Sequence, residues 1–202
     1  MWKDSIGDEF PLAKYAAQHW TCHTNAAGNP PILCKLALDL LQRDKPCYMM
    51  LLRLHDIDRS WQTSRVTSKR NVDSPISPLY YATLTGLTDV ARSLLQQGED
   101  PDKQCGLYGN ALIAAALKGR EEILRQLIRY GADPNARGGM LNTALLAASG
   151  AGHEKIVRTL LERGADVRQD HYRWGNALVV AIRNGHEAVV RVLIDHGVNV
   201  NS

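Results

Sequence analysis

Short apolar segments recur along the last two thirds of the chain at an interval of 33 residues. Each interval holds a short run of small and apolar residues, followed by a run in which apolar residues fall three and four positions apart. The second spacing is the period of an amphipathic helix that buries one face. Segments 111–118 and 121–129, ALIAAALK and EEILRQLIR, show the two patterns side by side. We therefore predict a pair of helices in each interval.

Glycine and capping residues predict where these helices begin and end. A residue in the left-handed conformation commonly ends a helix, and glycine adopts it most easily. Glycines follow the predicted helices in two columns at the 33-residue interval: Gly86, Gly119, Gly152, Gly185 and Gly98, Gly131, Gly164, Gly197. The shorter helices each follow a residue whose side-chain oxygen can cap a free backbone N–H, namely Ser77, Asn110, Thr143 and Asn176. The sequence thus predicts four helix-turn-helix units, at about residues 72–104, 105–137, 138–170 and 171–202.

The unit resembles the ankyrin repeat, whose period is 33 residues. Segment 109–135, GNALIAAALKGREEILRQLIRYGADPN, carries the resemblance most clearly. The family's Thr-Pro-Leu-His appears here as Ser-Pro-Leu-Tyr, Asn-Ala-Leu-Ile, Thr-Ala-Leu-Leu and Asn-Ala-Leu-Val. The histidine is absent from every unit, which puts the hydrogen bonds that it makes between units in question. The resemblance implies an all-α ankyrin-repeat solenoid over residues 72–202.

Residues 1–71 do not follow the 33-residue interval. Apolar spacing predicts short helices at 10–20, 32–41 and 47–54, and a polar, basic loop at 58–75. Because a solenoid exposes apolar surface at its ends unless a polar element covers it, we interpret residues 1–71 as a helical N-terminal capping and linker segment.

Composition narrows the function classes. Hydrophobic residues make up 45% of the chain and the formal net charge is +3, which is too small to predict binding to nucleic acid or to an anionic membrane. The longest apolar run, 47–52, is far shorter than the roughly 20 residues of a membrane span. The N-terminus has no apolar signal core, and the four cysteines lack a Cys-x-x-Cys spacing. We therefore expect a cytoplasmic protein with reduced thiols.

The sequence predicts no catalytic, cofactor-binding or metal-binding residues. It contains neither a nucleotide-binding Gly-x-x-x-x-Gly-Lys-Ser/Thr loop nor a Gly-x-Ser-x-Gly or His-Glu-x-x-His motif. Cys22, Cys34 and Cys47 lie 12 and 13 residues apart, unlike the tight spacing of zinc ligands. Carboxylates such as Glu121 recur with the repeat at helix starts, where they favour the helix dipole. We therefore predict a protein that is not an enzyme and has another protein as its partner.

Ankyrin arrays bind partners through the finger tips between units and the exposed ends of the shorter helices. Register places nine candidates there: Leu107, Tyr108, Lys118, Met140, Tyr172, Arg173, Trp174, Arg183 and Asn184. Segment 172–174 is the first candidate because aromatic residues and arginine dominate interface hot spots. Two alternatives stay open, namely that Trp174 packs beside the neighbouring finger and that Arg173 and Arg183 are only solvated charges.

A second resemblance covers nearly the whole chain from residue 10 onward. LAKYAAQHWTCHT, LRLHDIDRSW, a basic loop and SPLYYATLTGLTDVARSLL together resemble fungal NOD-like receptors with a NACHT ATPase and ankyrin repeats. The resemblance implies the sensor part of a larger receptor for non-self proteins, or a free-standing relative of it. One alternative is an intracellular ankyrin scaffold or regulatory subunit that modulates another protein. A more distant alternative is a nucleic-acid binder that uses the basic loop.

The last predicted helix, 187–195, ends in ordinary repeat register while still carrying a row of apolar residues. In a longer array some of these would be stacked under another repeat. We therefore expect further ankyrin repeats in the parent protein, and the resemblance to NOD-like receptors implies a NACHT domain there as well.

Overall fold

The structure, a computed structural model, describes residues 31–41, 76–169, 171 and 173–197. The described residues form helices and no strands. In chain order these are α1 Pro31–Leu41, α2 Pro78–Thr85, α3 Thr88–Gln96, α4 Ala111–Lys118, α5 Glu121–Arg129, α6 Ala144–Ala151, α7 Glu154–Glu162, α8 Ala177–Arg183 and α9 Glu187–Asp195. The helices predicted at 111–118 and 121–129 are therefore confirmed with those bounds.

The helix pairs stack in one direction. The shorter, inner helices α2, α4, α6 and α8 contact one another in sequence order, and the outer helices α3, α5, α7 and α9 do the same. Each inner helix also contacts the outer helix of its own unit. This nearest-neighbour pattern is that of a repeat solenoid. The predicted all-α solenoid fold is confirmed.

The core consists of small and branched side chains on the facing sides of these helices. In α4, all residues from Ala111 to Ala116 are buried, since this inner helix has a neighbour on each side. In α5 only one face is buried, with Ile123, Leu124 and Leu127 turned toward the inner helices. Three alanines in a row at 114–116 allow α4 to approach its neighbours closely, which explains the difference in composition between the two helix types.

The predicted ends of the inner helices are also confirmed. In all four units the capping oxygen accepts a hydrogen bond from a backbone N–H two or three residues later, at 2.9–3.2 Å. The caps are Ser77, Asn110, Thr143 and Asn176. The first three inner helices end at left-handed glycines with φ of 70° to 79°, namely Gly86, Gly119 and Gly152. α8 ends at Asn184 in a right-handed conformation, and the left-handed Gly185 follows it.

At the first junction, a tyrosine provides a hydrogen bond between units from the position at which the family has histidine. Tyr80 is fully buried, and its hydroxyl oxygen accepts a hydrogen bond from the backbone N–H of Tyr108 at 3.1 Å. The equivalent residues of later units include Ile113 and Leu146, whose side chains cannot hydrogen-bond. Tyrosine therefore preserves a hydrogen bond between the first two units, and the apolar residues at this position in later units cannot make it.

Histidines at the start of two outer helices make another link between units. Nε2 of His153 lies 3.1 Å from the carbonyl oxygen of Leu117, and Nε2 of His186 lies 3.0 Å from that of Gly150. Each ring thus caps the C-terminal end of the inner helix of the preceding unit, whose last carbonyls lack partners within the helix.

Of the predicted N-terminal cap, 1–71, the described part is α1. α1 contacts α3, and its Ala37 and Leu41 are buried, whereas Leu36 is 57% exposed. The helices predicted at 10–20 and 47–54 and the basic loop lie outside the described residues. The capping role of residues 1–71 stays a prediction.

Side chains also join the turns that connect successive units. Oδ1 of Asn135 accepts from the backbone N–H of Asp166 at 2.7 Å, and its Nδ2 donates to the carbonyl of Gly164 at 2.9 Å. Asp102 holds the equivalent position one unit earlier. Its carboxylate accepts from the N–H of Asp133 at 3.0 and 3.2 Å but offers no donor. Burial raises the pKa of the Asp102 carboxyl, the hydrogen bond from Asp133 lowers it, and the negative charges of Asp133 and Asp100 raise it further.

We expect Asp102→Asn to stabilise the protein by about 1 kcal/mol at neutral pH, because an amide keeps the acceptor, gains a donor and removes a charge from an acidic turn. Because the pKa of the Asp102 carboxyl is higher in the folded than in the unfolded state, its protonation favours folding. This contribution to stability is greatest below the unfolded-state pKa and is lost as the pH rises through the folded-state pKa. The advantage of the variant should therefore shrink at acid pH. Urea unfolding at neutral and acid pH measures both effects.

Asn135→Asp is the matched control for this prediction, since it makes the reverse change one unit later. It should destabilise the protein by a similar amount, about 1 kcal/mol. If Asp102→Asn lowers the midpoint of unfolding at neutral pH, the carboxylate is better suited to the turn than an amide, and the prediction is wrong.

Candidate protein-binding face

Three described fingers project between the units, each a tight turn closed by one antiparallel bridge. The bridges join Cys105 to Gly109, Gly138 to Asn142 and His171 to Gly175, and we call these turns the second, third and fourth fingers. The closing residue has a positive φ in all three, and in the third finger it is asparagine, with φ 64°. Asparagine tolerates the left-handed region better than most residues. The sequence difference at this position therefore leaves the finger geometry unchanged.

The second and third fingers are held in register by main-chain contacts. The N–H of Met140 donates to the carbonyl of Leu107 at 3.1 Å. Tyr108 is half-buried against the core, and its N–H is bound by Tyr80 beneath it. Met140 is 54% exposed at the tip. Of these three candidate binding residues, Met140 is the most exposed to solvent. Leu107 and Tyr108 also take part in the contacts that hold the fingers together.

The tip of the fourth finger is ordered by contacts among its own side chains. The guanidinium carbon of Arg173 lies 5.0 Å from the centroid of the Trp174 ring. The rings of His171 and Trp174 stack with centroids 6.5 Å apart and planes inclined by 25°. The backbone N–H of Arg173 donates to Nδ1 of His171 at 3.2 Å. Arg173 is exposed and Trp174 half-buried, while Tyr172 lies outside the described residues. The arginine is thus presented on an aromatic support.

The C-terminal ends of the inner helices form the second part of the face. Lys118, Arg183 and Asn184 are exposed there, as the sequence predicted. Gly150 and Ala151 occupy these positions in the third unit and leave it without long side chains. Nδ2 of Asn184 donates to the carbonyl of Gly150 at 2.7 Å, so this amide also links two units.

Two further apolar side chains of α8 are exposed, although the sequence did not place them on this face. Val179 is 40% and Ile182 is 55% exposed, whereas the equivalent residues of the third unit, Leu146 and Ser149, are buried. The residue types give no indication of this difference, since exposure here depends on the neighbouring unit. Register places both in columns that are buried in the third unit, so it would have predicted the opposite.

The described residues offer no metal site, since no three His, Cys, Asp or Glu side chains among them come together in a way that could hold an ion. None of the helices described is long and apolar enough to cross a lipid bilayer.

Comparison with known proteins identifies the repeat. The sequence profile of the family described as "Ankyrin repeats (3 copies)" matches residues 14–138 and 112–202. A similar curated protein is "Azaphilone pigments biosynthesis cluster protein L" from Monascus ruber, which is 36% identical over 117 residues. The match covers 53% of this chain and 24% of that protein, so the chain corresponds to about a quarter of its relative's length. With stacked helix pairs at the 33-residue interval and a profile match along most of its length, the chain belongs to the ankyrin-repeat family.

Proposed function

We propose that the chain is a protein-interaction module and that its partner binds across the fingers and the C-terminal ends of the inner helices. We call this surface the inner face and define it by Leu107, Tyr108, Lys118, Met140, Tyr172, Arg173, Trp174, Arg183 and Asn184. One observation carries the proposal: Met140 and Arg173 occupy the same position on adjacent fingers, and both are exposed.

The scaffold supports such a role. Binding residues act best when rigid elements position them, because less conformational entropy is then lost on association. Met140 is fixed through its main-chain bond to Leu107, and Arg173 through its contacts with His171 and Trp174. An ordered arginine beside an aromatic ring is the composition that dominates interface hot spots.

Binding, rather than catalysis, is the function that this fold usually serves, and the proposal includes no reaction. The described residues of the inner face carry Arg, Lys, Met and Trp but no nucleophile with a neighbouring general base, which covalent catalysis requires.

For the cellular role, we propose the ligand-sensing part of a fungal NOD-like receptor, located in the cytoplasm. This finer proposal rests on the resemblance of the segments that flank and begin the repeats. The alternative is an intracellular scaffold or regulatory subunit, which the name of the relative from Monascus ruber favours because it refers to a biosynthesis cluster. A NACHT module encoded upstream of the repeats in the same gene would support the receptor, and an uninterrupted ankyrin protein would support the scaffold.

The binding face can be tested with a photo-cross-linking amino acid at position 140, in the third finger, and at position 130, at the end of an outer helix. Met140 and Tyr130 are similarly exposed, at 54% and 44%. In lysate of the source organism we expect a discrete protein adduct from position 140 and none from position 130. The captured protein then serves as the ligand for affinity measurements.

We expect the double variant Met140→Ala/Arg173→Ala to weaken that ligand by about 2 kcal/mol, or roughly 30-fold in Kd, with no change in the unfolding midpoint. The matched control is Tyr130→Ala/Arg163→Ala, which removes one large apolar side chain and one arginine from adjacent units on the outer side. Equal affinity of the two double variants, or adducts from position 130 alone, would place the binding site elsewhere.

A further inference from the structure

Charged residues are distributed unevenly between the two sides of the solenoid. The described residues of the fingers and inner helices carry five basic side chains and no acidic one. The fingers and inner helices comprise segments 76–85, 103–118, 136–151 and 169–183. Their basic residues are Lys103, Lys118, Arg137, Arg173 and Arg183. Asp170, in the last segment, lies outside the described residues. The acidic residues of the described repeats lie on the outer helices and on the turns that follow them.

One basic residue of each outer helix is neutralised locally, in contrast to those of the inner face. Every outer helix has an ion pair between residues one turn apart, including Arg92–Asp89 at 3.2 Å and Arg158–Glu154 at 3.0 Å. Arg125 and Arg191 pair in the same way with Glu121 and Glu187. No described acidic side chain forms an ion pair with Lys118, Arg173 or Arg183. Among the described residues, positive charge is therefore left without nearby negative charge on the fingers and inner helices, whereas acidic residues outnumber basic ones on the outer helices and the turns.

The spacing of these charges fits an extended chain. Lys118 and Arg183 end inner helices that are two units apart, which corresponds to about 16–20 Å for packed helices. An extended segment of about five or six residues spans that distance. Gly150 and Ala151 lie between them and leave room for a backbone to pass close to the helix ends.

Apolar side chains accompany the charges. Met140 is exposed on the third finger, and Trp174 is half-buried beneath Arg173 on the fourth. Neighbouring apolar and charged positions on this face suit a segment that carries both apolar and acidic side chains. We propose that the inner face recognises an extended acidic segment of its partner protein. In this complex, carboxylates lie against Lys118, Arg173 and Arg183, and apolar side chains pack on Met140 and Trp174. This inference rests on the proposed function.

Protein is favoured over nucleic acid as the source of the negative charge. Nucleic-acid binders commonly neutralise several phosphates, about six to ten in strongly salt-dependent cases. The inner face instead has a few separated cations next to an exposed methionine, which gains binding energy from an apolar partner and none from a phosphate backbone.

A short fluorescein-labelled peptide in which Glu alternates with Leu and Tyr serves as the probe. The same peptide with Gln or with Lys in place of Glu, and a short single-stranded oligodeoxythymidine, provide the comparisons. By fluorescence anisotropy at low ionic strength we expect the Glu peptide to bind the full chain at least about tenfold tighter than the Gln peptide. The Lys peptide and the oligonucleotide should bind more weakly than the Glu peptide.

Arg173→Gln/Arg183→Gln should weaken the Glu peptide about tenfold. Arg158→Gln/Arg191→Gln lowers the net charge by the same amount on the outer side and should leave its affinity unchanged. The inference is overturned by equal affinity for the Glu and Gln peptides, by tighter binding of the oligonucleotide, by equal effects of the two double variants, or by no measurable binding. If position 140 still cross-links a protein in those cases, the proposed function stands and only the acidic preference is wrong.

Discussion

Gly109→Ala is expected to lower the free energy of unfolding by about 3 kcal/mol, although it adds a single methyl group. Gly109 closes the second finger with φ 101°, a conformation that L residues rarely adopt. A Cβ atom there would lie only 2.7 Å from the Cα atom of Gly138 and from the backbone nitrogen of Gly139. These are main-chain atoms of the next finger, so no side-chain rotation can relieve the overlap. The second and third fingers would have to separate.

Gly131→Ala is the matched control because it has nearly the same backbone strain without the overlap. Its φ is 93°, and an added Cβ meets nothing within 4 Å. This variant should lose only the cost of the left-handed conformation, about 1 kcal/mol. Urea unfolding followed by circular dichroism compares the two. Equal losses would show that the fingers can part freely and that their close approach does not contribute to stability.

The same change should also disturb the inner face. The hydrogen bond from Met140 to Leu107 crosses the junction that the overlap would open. We therefore expect Gly109→Ala to reduce cross-linking from position 140 even at temperatures at which the array is folded. Gly131→Ala should leave the yield unchanged.

The helix boundaries could be predicted from the sequence because local chemistry sets them. Asn110 caps α4 through an oxygen that reaches a backbone N–H three residues away, and Gly119 ends the same helix in the left-handed conformation. Both effects act within a few residues of chain, so a single unit contains the information. The 33-residue interval then repeats the prediction along the chain.

Contacts between units could not be predicted in the same way. The bond from Tyr108 to Tyr80 joins residues 28 positions apart, and it depends on how closely a finger approaches the preceding inner helix. Ile113 and Val179 occupy equivalent positions with similar side chains, yet the first is fully buried and the second is 40% exposed. Register correctly placed Met140 at a tip, but only packing shows that Tyr108 is half-buried beside it.

Leu127→Ala is expected to lower the free energy of unfolding by about 3 to 4 kcal/mol and to break the array into two parts. Leu127 is fully buried in α5, which contacts α3, α4 and α7. Truncation removes apolar surface and leaves a cavity that the surrounding helices fill only in part. Because units contact only their neighbours, a weakened second unit also weakens the coupling between the first unit and the last two.

Leu193→Ala makes the same chemical change in the same column, in α9. Leu193 is also fully buried, but among the described helices α9 packs mainly against α7 and α8. Hydrogen exchange followed by mass spectrometry separates the two cases. Leu193→Ala should raise exchange in α8 and α9 alone, whereas Leu127→Ala should raise it in α2 to α5 and make unfolding less cooperative. The same exchange pattern in both variants would mean that the four units unfold as one block.

The effect of each substitution on binding depends on which unit it weakens. Lys118 lies in the weakened unit, while Arg173 and Arg183 lie in the fourth. A partner segment that spans them needs all three held at fixed distances, so Leu127→Ala should weaken such a ligand although it lies far from the inner face. Leu193→Ala should loosen only the part of the site around Arg173 and Arg183, in the fourth unit. The position of a core substitution along the array thus determines which part of the binding surface is lost.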